Sequence, residues 1–339
     1  MGKPNQLYLL AVESDDNSLL GIAPLMRREI VFLPKRPLRQ LTFIGRDASD
    51  YLDFLYRPGY EDVIADGVCR YLQTYSKEWD ILDLTDIPEG SSTPSSLHKA
   101  FDLTYQVSDE PGAVCPYIPL GGTWDEYLST RSSKFRKNVL YYRKLFINRL
   151  KGRFRICQSP TEVEAAIERL FALNSTRRKE EGSASPFSEA RFREFHREVA
   201  ATFLDRGWLR CACLEINDCI AAVDYGFRYD QKSFGYSSGF DATWAKFGLG
   251  GVILGYSIEA ALRDGINEFD LLRGDELYKY GWTSHSRQNK RITVLQRHLP
   301  VLLSEGIRSG WRRVHQRVKD ALPRDLRRSL KRALTFRGG

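Results

Sequence analysis

Phe234-Gly-Tyr-Ser-Ser-Gly-Phe240, Gly248-Leu-Gly-Gly251 and Glu268-Phe-Asp-Leu-Leu272, which runs into Arg273-Gly-Asp-Glu-Leu-Tyr-Lys279 and on to Trp282, form the stretch that decides the fold. The first piece reads as a strand, the glycines open a helical run to Arg263, and the third is a second strand feeding a dense polar cluster. A helix start presents unpaired backbone N–H groups and the positive end of the dipole, and glycines there let a phosphate approach the main chain. Ligands of open sheets gather at strand ends. Strand, glycine turn, helix, strand and polar cluster therefore read as a ligand site built on an α/β layer.

The elements before this stretch extend the same pattern. Strands at Leu209–Ile216, Cys219–Tyr229 and Ser233–Phe240 make a meander, preceded by a strand at Phe154–Cys157 and helices from Ser159-Pro-Thr-Glu162 to about Lys179 and over Arg191–Asp205. Nearer the N-terminus, Leu7–Val12 and Leu19–Arg28 form a hairpin, Arg39–Phe43 a strand, Asp62–Tyr75 a helix and Trp79–Thr85 a strand. Pro88 to Ser96 reads as a loop, Tyr117–Leu120 as a strand, and Thr123-Trp-Asp-Glu126 has the spacing of a capping box. Both halves show strand hairpin, helix and strand, which hints at a duplicated α/β unit. The expected division is an N-terminal lobe over 1–120, a basic linking helix over 121–153, a second lobe over 154–303 and a basic amphipathic tail over 304–339.

A chain of 339 residues, 42% hydrophobic and 12% aromatic, supplies two packed cores and excludes wholesale disorder. No apolar run reaches the length of a membrane helix, and the N-terminus lacks a secretory h-region, so cytoplasmic residence is expected. The cysteines at 69, 115, 157, 211, 213 and 219 have neither C-x-x-C nor zinc-ligand spacing, and they read as reduced small hydrophobes, with no metal expected.

Charge is uneven. The net charge of +8 equals that of residues 304–339, which hold eleven Lys/Arg against Glu305, Asp320 and Asp325. Arg131–Arg155 holds ten basic residues and no acidic one. Its apolar positions Phe135, Val139, Tyr142, Phe146 and Leu150 form one helical stripe that docks on the body, with Lys134, Arg136, Lys137, Arg143 and Lys144 on the other faces. Two basic elements on a balanced body imply anionic partners. For the tail, Trp311, Val314, Val318 and Leu322 share a face, which suits an interfacial helix on anionic lipid at the inner membrane face. Nucleic acid is the lower-ranked partner, because stacking aromatics are scarce there.

The segment Phe269-Asp270-x-x-Arg273-Gly274-x-x-x-Tyr278-Lys279-x-x-Trp282 with the glycine-rich helix start before it resembles the bacterial cellulose-biosynthesis, CelD-like acyltransferases of the GNAT superfamily. More distantly it resembles the FemAB-like aminoacyl transferases, which have two GNAT-like lobes. The resemblance runs from Leu20 to about Val294, with weaker pieces at Leu20-Gly-Ile-Ala-Pro-Leu25, Trp79-Asp-Ile-Leu-Asp-Leu84 and Arg136-Lys-Asn138. Of the family's Gln/Arg-x-x-Gly-x-Gly/Ala signature, Gly248 and Gly250 match, Ala245 departs, and Lys246 stands beside it. The first lobe also starts later than the family pattern.

The resemblance implies an α/β (α+β) fold of tandem GNAT-like lobes, each a mixed, mostly antiparallel sheet flanked by helices, and an acyl-CoA-dependent N-acyltransferase without a metal. It implies acyl-CoA between the strands Ser233–Phe240 and Glu268–Leu272, its pyrophosphate on Gly248, Gly250 and Gly251 beside Lys246, and its carbonyl facing backbone N–H groups near Ser238. Asp270 is placed as a base or as a structural acid capping the Arg273 turn, and Tyr278 as the acid for the departing thiolate. Lys279 is placed to hold a phosphate or the carbonyl oxygen. Asp224, in an apolar strand, needs a basic neighbour or a substrate amine, with the salt bridge favoured. Arg273, Trp282 and Arg136 complete the substrate side, Trp282 as a packing wall and Arg136 within the basic helix that would meet a carrier diphosphate. His285 has no triad context and reads as exposed or supporting. The acceptor implied is an amino sugar or related precursor of a cell-surface polysaccharide. Two alternatives stay open: an aminoacyl-tRNA-dependent transferase of the FemAB-like kind, and a non-catalytic accessory protein of exopolysaccharide assembly.

Overall fold

The computed structural model describes residues 5–33, 36–46, 48–101, 105–180 and 182–297, which fall into two compact units. The tail 304–339, for which membrane contact is expected, lies outside the described residues.

Among the described residues, the first unit holds those up to Cys115 together with 287–297. Its elements are β1 (Gln6–Glu13), β2 (Leu19–Leu33), β3 (Arg36–Phe43), the short β4 (Leu55–Tyr56), α1 (Glu61–Thr74), β5 (Ile81–Ile87), α2 (Thr93–Phe101) and the first part of β6 (Tyr105–Pro119). The strand order is β1-β2-β3-β5, then a late strand in the chain, then β6. β3 and β5 are parallel and β1, β2 and β3 antiparallel. Leu25, Leu41, Phe43, Leu82 and Leu84 pack against Ile64, Val68 and Leu72 of α1 and Leu97 and Phe101 of α2. Trp79, fully buried, donates Nε1 to the Leu72 carbonyl at 2.9 Å and so satisfies its only polar group inside the core. The expected loop over Pro88 to Ser96 is corrected, because its second half is the start of α2; proline is tolerated in a first helical turn, where its missing N–H costs nothing.

The second unit is Pro116–Ser286 within the described chain. It contains α3 (Trp124–Ser129), α4 (Ser133–Asn148), β7 (Arg153–Ile156), α5 (Pro160–Glu180), α6 (Ala190–Asp205), β8 (Leu209–Ile216), β9 (Cys219–Tyr229), β10 (Lys232–Phe240), α7 (Leu249–Arg263), β11 (Glu268–Asp270) and the single turn α8 (Lys279–Trp282). The capping box starts α3: Glu126 N donates to Thr123 Oγ1 at 3.3 Å, and Thr123 N donates to Glu126 Oε2 at 2.6 Å. The sheet order is β6-β11-β10-β9-β8-β7, antiparallel except for β10 with β11.

Alternation along β9 assigns the two faces. Val223 and Tyr225 pack against Ala166, Ile167 and Leu170 of α5 and Ala200 of α6, whereas Ala222 packs against Leu249, Val252 and Ile253 of α7. The α4 stripe docks as its periodicity requires, Phe135 and Val139 into one cluster and Tyr142, Phe146 and Leu150 into another. The chain then leaves this unit through β12 (His285–Gln296), which supplies the missing strand of the first unit between β5 and β6. Residues 116–153 therefore pack within the second unit, and residues 287–297 return to the first.

Candidate functional site

β10 and β11 run parallel for three register pairs, Lys232 with Glu268, Ser233 with Phe269 and Phe234 with Asp270. β11 then stops while β10 continues to Phe240, and a bulge between Gly235 and Ser237 bends β10 where its partner is lost. Two parallel strands that part in this way leave an opening at the strand ends.

Ahead of α7, Gly248 is left-handed (φ 63°) and serves as its N-cap; a Cβ there would stand 3.0 Å from the Tyr142 ring of α4. The N–H groups of Gly251 and Val252 turn back to the Gly248 carbonyl, at 3.0 and 3.1 Å, while those of Leu249 and Gly250 meet no acceptor among the described residues. A Cβ on Gly251 would meet nothing within 4 Å and one on Gly250 only the Phe240 ring, so the helix start is open. Lys246 is exposed, with its ammonium 5.3 Å from the Phe247 ring. The residues expected to receive a pyrophosphate are thus together at one accessible turn.

The polar cluster after β11 divides into an inside and an outside. Asp270 is fully buried and its Oδ1 accepts from the Leu272 N–H at 2.7 Å. Leu272 is itself left-handed (φ 54°), a conformation that needs holding in a residue with a branched side chain. Lys279 holds the other side of the same turn, its buried Nζ donating to the carbonyls of Leu272 at 3.1 Å, Arg273 at 3.0 Å and Gly274 at 3.3 Å, with Glu276 Oε2 at 3.1 Å. An ammonium has three hydrogens, so this one has none to spare for a phosphate. The expected phosphate or carbonyl contact by Lys279 is corrected to a clamp on the turn. Trp282 is buried with its ring 4.9 Å from Phe135, and Tyr127 Oη donates to its carbonyl at 2.7 Å, as suits a wall.

Arg273 is half-buried and Tyr278 faces outward. Tyr278 exposes 58% of its surface, yet its hydroxyl is pushed up to about 12 by burial first, then by the charges of Glu276 and Asp224, against Arg177. It is therefore a proton donor at neutral pH. Ser238 is exposed and pairs with Asp224 in the β9/β10 register. Arg136 is half-buried on α4, and His285 is exposed with its ring 5.7 Å from Tyr117.

Asp224 differs from its expected setting. It makes no ion pair among the described residues, because its basic neighbour Arg210 bonds Asp264 at 2.7 Å instead. Its carboxylate lines a cavity of about 20 Å³ between the sheet and α7, shared with Arg210, Gly226, Ser233, Gly235, Ser257 and Phe269. That is room for one water or one amine head. Burial raises the Asp224 carboxyl above its ordinary range, opposed by the nearby Ser257 hydroxyl and the Arg210 charge. The hydroxyls of Ser233 and Ser257 are buried in the same place with no well-formed hydrogen bond. Unsatisfied buried hydroxyls beside a carboxyl are what a small polar ligand would complete.

Residues 133–280 match the family model described as Acetyltransferase (GNAT) domain. This segment is a GNAT acyltransferase domain. It makes the chain an N-acyltransferase, and a GNAT domain implies acyl-CoA as co-substrate. Among solved structures, the chain is similar to FemX at 10% identity and TM-score 0.57, over 85% of this chain and 88% of that one. It is similar to L-PGS from Bacillus licheniformis at 12% identity and TM-score 0.53, over 87% of each chain. A conserved protein of unknown function from Bacteroides thetaiotaomicron matches at 10% identity and TM-score 0.53, over 85% of this chain and 86% of that one. At these identities the likeness concerns the fold, and its extent covers both units, in keeping with tandem GNAT-like lobes. No curated relative matches the chain in sequence. Among the described residues, no three His, Cys, Asp or Glu side chains group as metal ligands, and no helix is long and apolar enough to cross a membrane.

On the other face of the GNAT sheet is a group that sequence periodicity gave no reason to single out. His196 of α6 is buried among Phe187, Phe192 and Phe195, with Nδ1 3.3 Å from the Tyr225 hydroxyl and Nε2 3.3 Å from the hydroxyl of Tyr236, the extra residue of the β10 bulge. Burial lowers the imidazole to about 4. The unfolded chain takes up a proton near 6.5 while the folded one stays neutral, so stability falls as pH drops from 6.5 to about 4, by roughly 3 kcal/mol. Urea unfolding at pH 7 and pH 4 should show His196→Gln losing that much less over the interval than the wild type.

Proposed function

We propose that the chain transfers an acyl group from acyl-CoA to an amine of a cell-surface polysaccharide precursor, an amino sugar or a close relative. The observation that carries the reaction is the parting of β10 and β11 beside an open glycine helix start, with Asp224 in a cavity the size of an amine head. The substrate class is supported by the resemblance to the CelD-like acyltransferases. The amine nitrogen attacks the thioester carbonyl, a C–N bond forms and the C–S bond breaks. Asp224 takes the amine proton and the Tyr278 hydroxyl protonates the thiolate, while Asp270 and Lys279 keep the intervening turn in shape. The pyrophosphate lies on Leu249 and Gly250 N–H groups, with Lys246 close by.

Calorimetric titration with acetyl-CoA, against pantetheine and desulfo-CoA, tests this reading. Binding on the order of micromolar that requires the pyrophosphate supports it. Gly251→Glu places a carboxylate at the helix start without a steric cost, and it should weaken acetyl-CoA roughly tenfold while leaving the melting temperature unchanged or slightly raised. Absence of acetyl-CoA binding, together with binding of aminoacyl-tRNA, would instead favour an aminoacyl donor, a reading supported by the fold shared with FemX and L-PGS.

A further inference from the structure

α4 has two apolar stripes, of which only one is docked. Leu140, Tyr141 and Ile147 are exposed by 46%, 58% and 47% on the side away from Phe135, Val139, Tyr142 and Phe146. They alternate with Lys137 and Lys144 at spacings of three and four, and Lys134 extends the same face by one turn. A helix that merely faced water would not need large apolar side chains there.

The basic residues of 131–155 also divide into two kinds. Five of the six arginines serve the fold: Arg143 pairs with Glu259 and lies over Tyr256, Arg153 and Arg155 pair with Glu215, Arg131 donates to the Trp282 carbonyl, and Arg149 lies over Phe247. Lys134, Lys137 and Lys144 have no partner among the described residues and are exposed. Unpaired lysines interleaved with apolar side chains, and no acidic residue between Arg131 and Arg155, complement a surface that is negative outside and greasy beneath.

We propose that this face of α4 docks on an anionic lipid surface, with Leu140, Tyr141 and Ile147 entering the headgroup boundary and the lysines reaching lipid phosphates. The helix axis then lies along the membrane plane. Nucleic acid fits less well, because Leu140 and Ile147 have nothing to contact on a phosphate backbone and the single exposed ring of Tyr141 does not make the row of stacking platforms a strand of bases needs. A second copy fits less well too, because each would bring the same unpaired lysines to the contact.

Flotation of the full-length protein with vesicles of 30% phosphatidylglycerol in phosphatidylcholine, against pure phosphatidylcholine, tests the inference. Binding is expected on the anionic vesicles only, and it should weaken at high salt. Lys137→Gln with Lys144→Gln should weaken it roughly thirtyfold, about fivefold for each lysine. Leu140→Ser with Ile147→Ser should weaken it roughly tenfold, with an unchanged melting temperature because both side chains are exposed. The proposal is overturned if wild-type protein ignores anionic vesicles, or if either double variant floats like the wild type, which would assign binding to another part of the chain. It is equally overturned if the lysine pair lowers tRNA binding while the serine pair leaves vesicle binding intact, or if the serine pair converts a solution dimer to monomer. None of these readouts depends on which acyl donor the protein uses, so failure here and failure of the transferase reading are separable.

Discussion

Replacing Lys279 by Ala is expected to lower stability by about 3 kcal/mol and to abolish turnover together, because both follow from one turn losing its clamp. The ammonium is buried and holds three consecutive carbonyls, and truncation leaves those acceptors facing a cavity with no donor. Leu272, held left-handed between Lys279 on one side and the Asp270 carboxylate on the other, would relax toward the ordinary basin and carry Arg273 and Tyr278 with it. Scanning calorimetry should show a fall of roughly 6–12 °C in the melting temperature of the unit concerned. Lys279→Arg should not rescue it, since a planar fork cannot point at three carbonyls of one tight turn. Were Lys279 instead a phosphate ligand, Lys279→Ala would keep its melting temperature and lose only donor affinity, an outcome that would reject the clamp.

The opposite pairing of effects is expected at Asp224. Asp224→Asn should slow transfer by roughly a hundredfold or more while the protein becomes more stable at neutral pH. The sign follows from burial. The folded carboxyl has a raised pKa, so its contribution is fully present below the unfolded value of 3.8 and is lost as pH rises through the folded one. Once ionised, the wild-type carboxylate stands in the cavity without an ion pair among the described residues, a cost that the amide removes. Urea midpoints should show Asn above Asp at pH 7, with the gap closing toward pH 4, and the rise of rate with pH that Asp224 imposes should vanish in the variant. A variant that is slower and also less stable at pH 7 would place Asp224 among the structural residues instead.

Lys279 and Asp224 mark where the sequence was readable and where it was not. The spacing of Asp270, Arg273, Tyr278, Lys279 and Trp282 identified the place, because a dense polar run after a short strand has few other uses. It did not say which members point inward, since that depends on Leu272 turning left-handed, and nothing in a leucine announces it. Asp224 was legible as an acid in an apolar strand that needs a basic neighbour or a substrate amine, but the sequence named no partner, and the basic residue beside it, Arg210, is held by Asp264, 54 positions further along the chain. The meander from Leu209 to Phe240 and the helix to Arg263 were readable because period and glycine placement agree. β12 was missed, since His285-Ser-Arg-Gln-Asn-Lys-Arg291 has no alternation, and it is a strand because the gap between β5 and β6 demands one. Most of β6 was missed for a similar reason: Asp109-Glu-Pro-Gly112 looks like a turn but lies inside a fifteen-residue strand. On α4 the docked stripe was found, and the exposed one escaped notice because a single apolar face already accounted for the helix.

The placement of β12 bears on the order in which the protein can be made. As the chain leaves the ribosome, residues 116–286 are all available before the strand that completes the first unit has been synthesised. The unit that begins first therefore finishes last, with two strand edges, on β5 and β6, waiting for a partner while the GNAT domain folds from an uninterrupted length of chain. Those waiting edges are where a stalled or truncated chain would be captured by others of its kind. For the same reason a stop codon near residue 286 would damage the half of the protein encoded farthest from it.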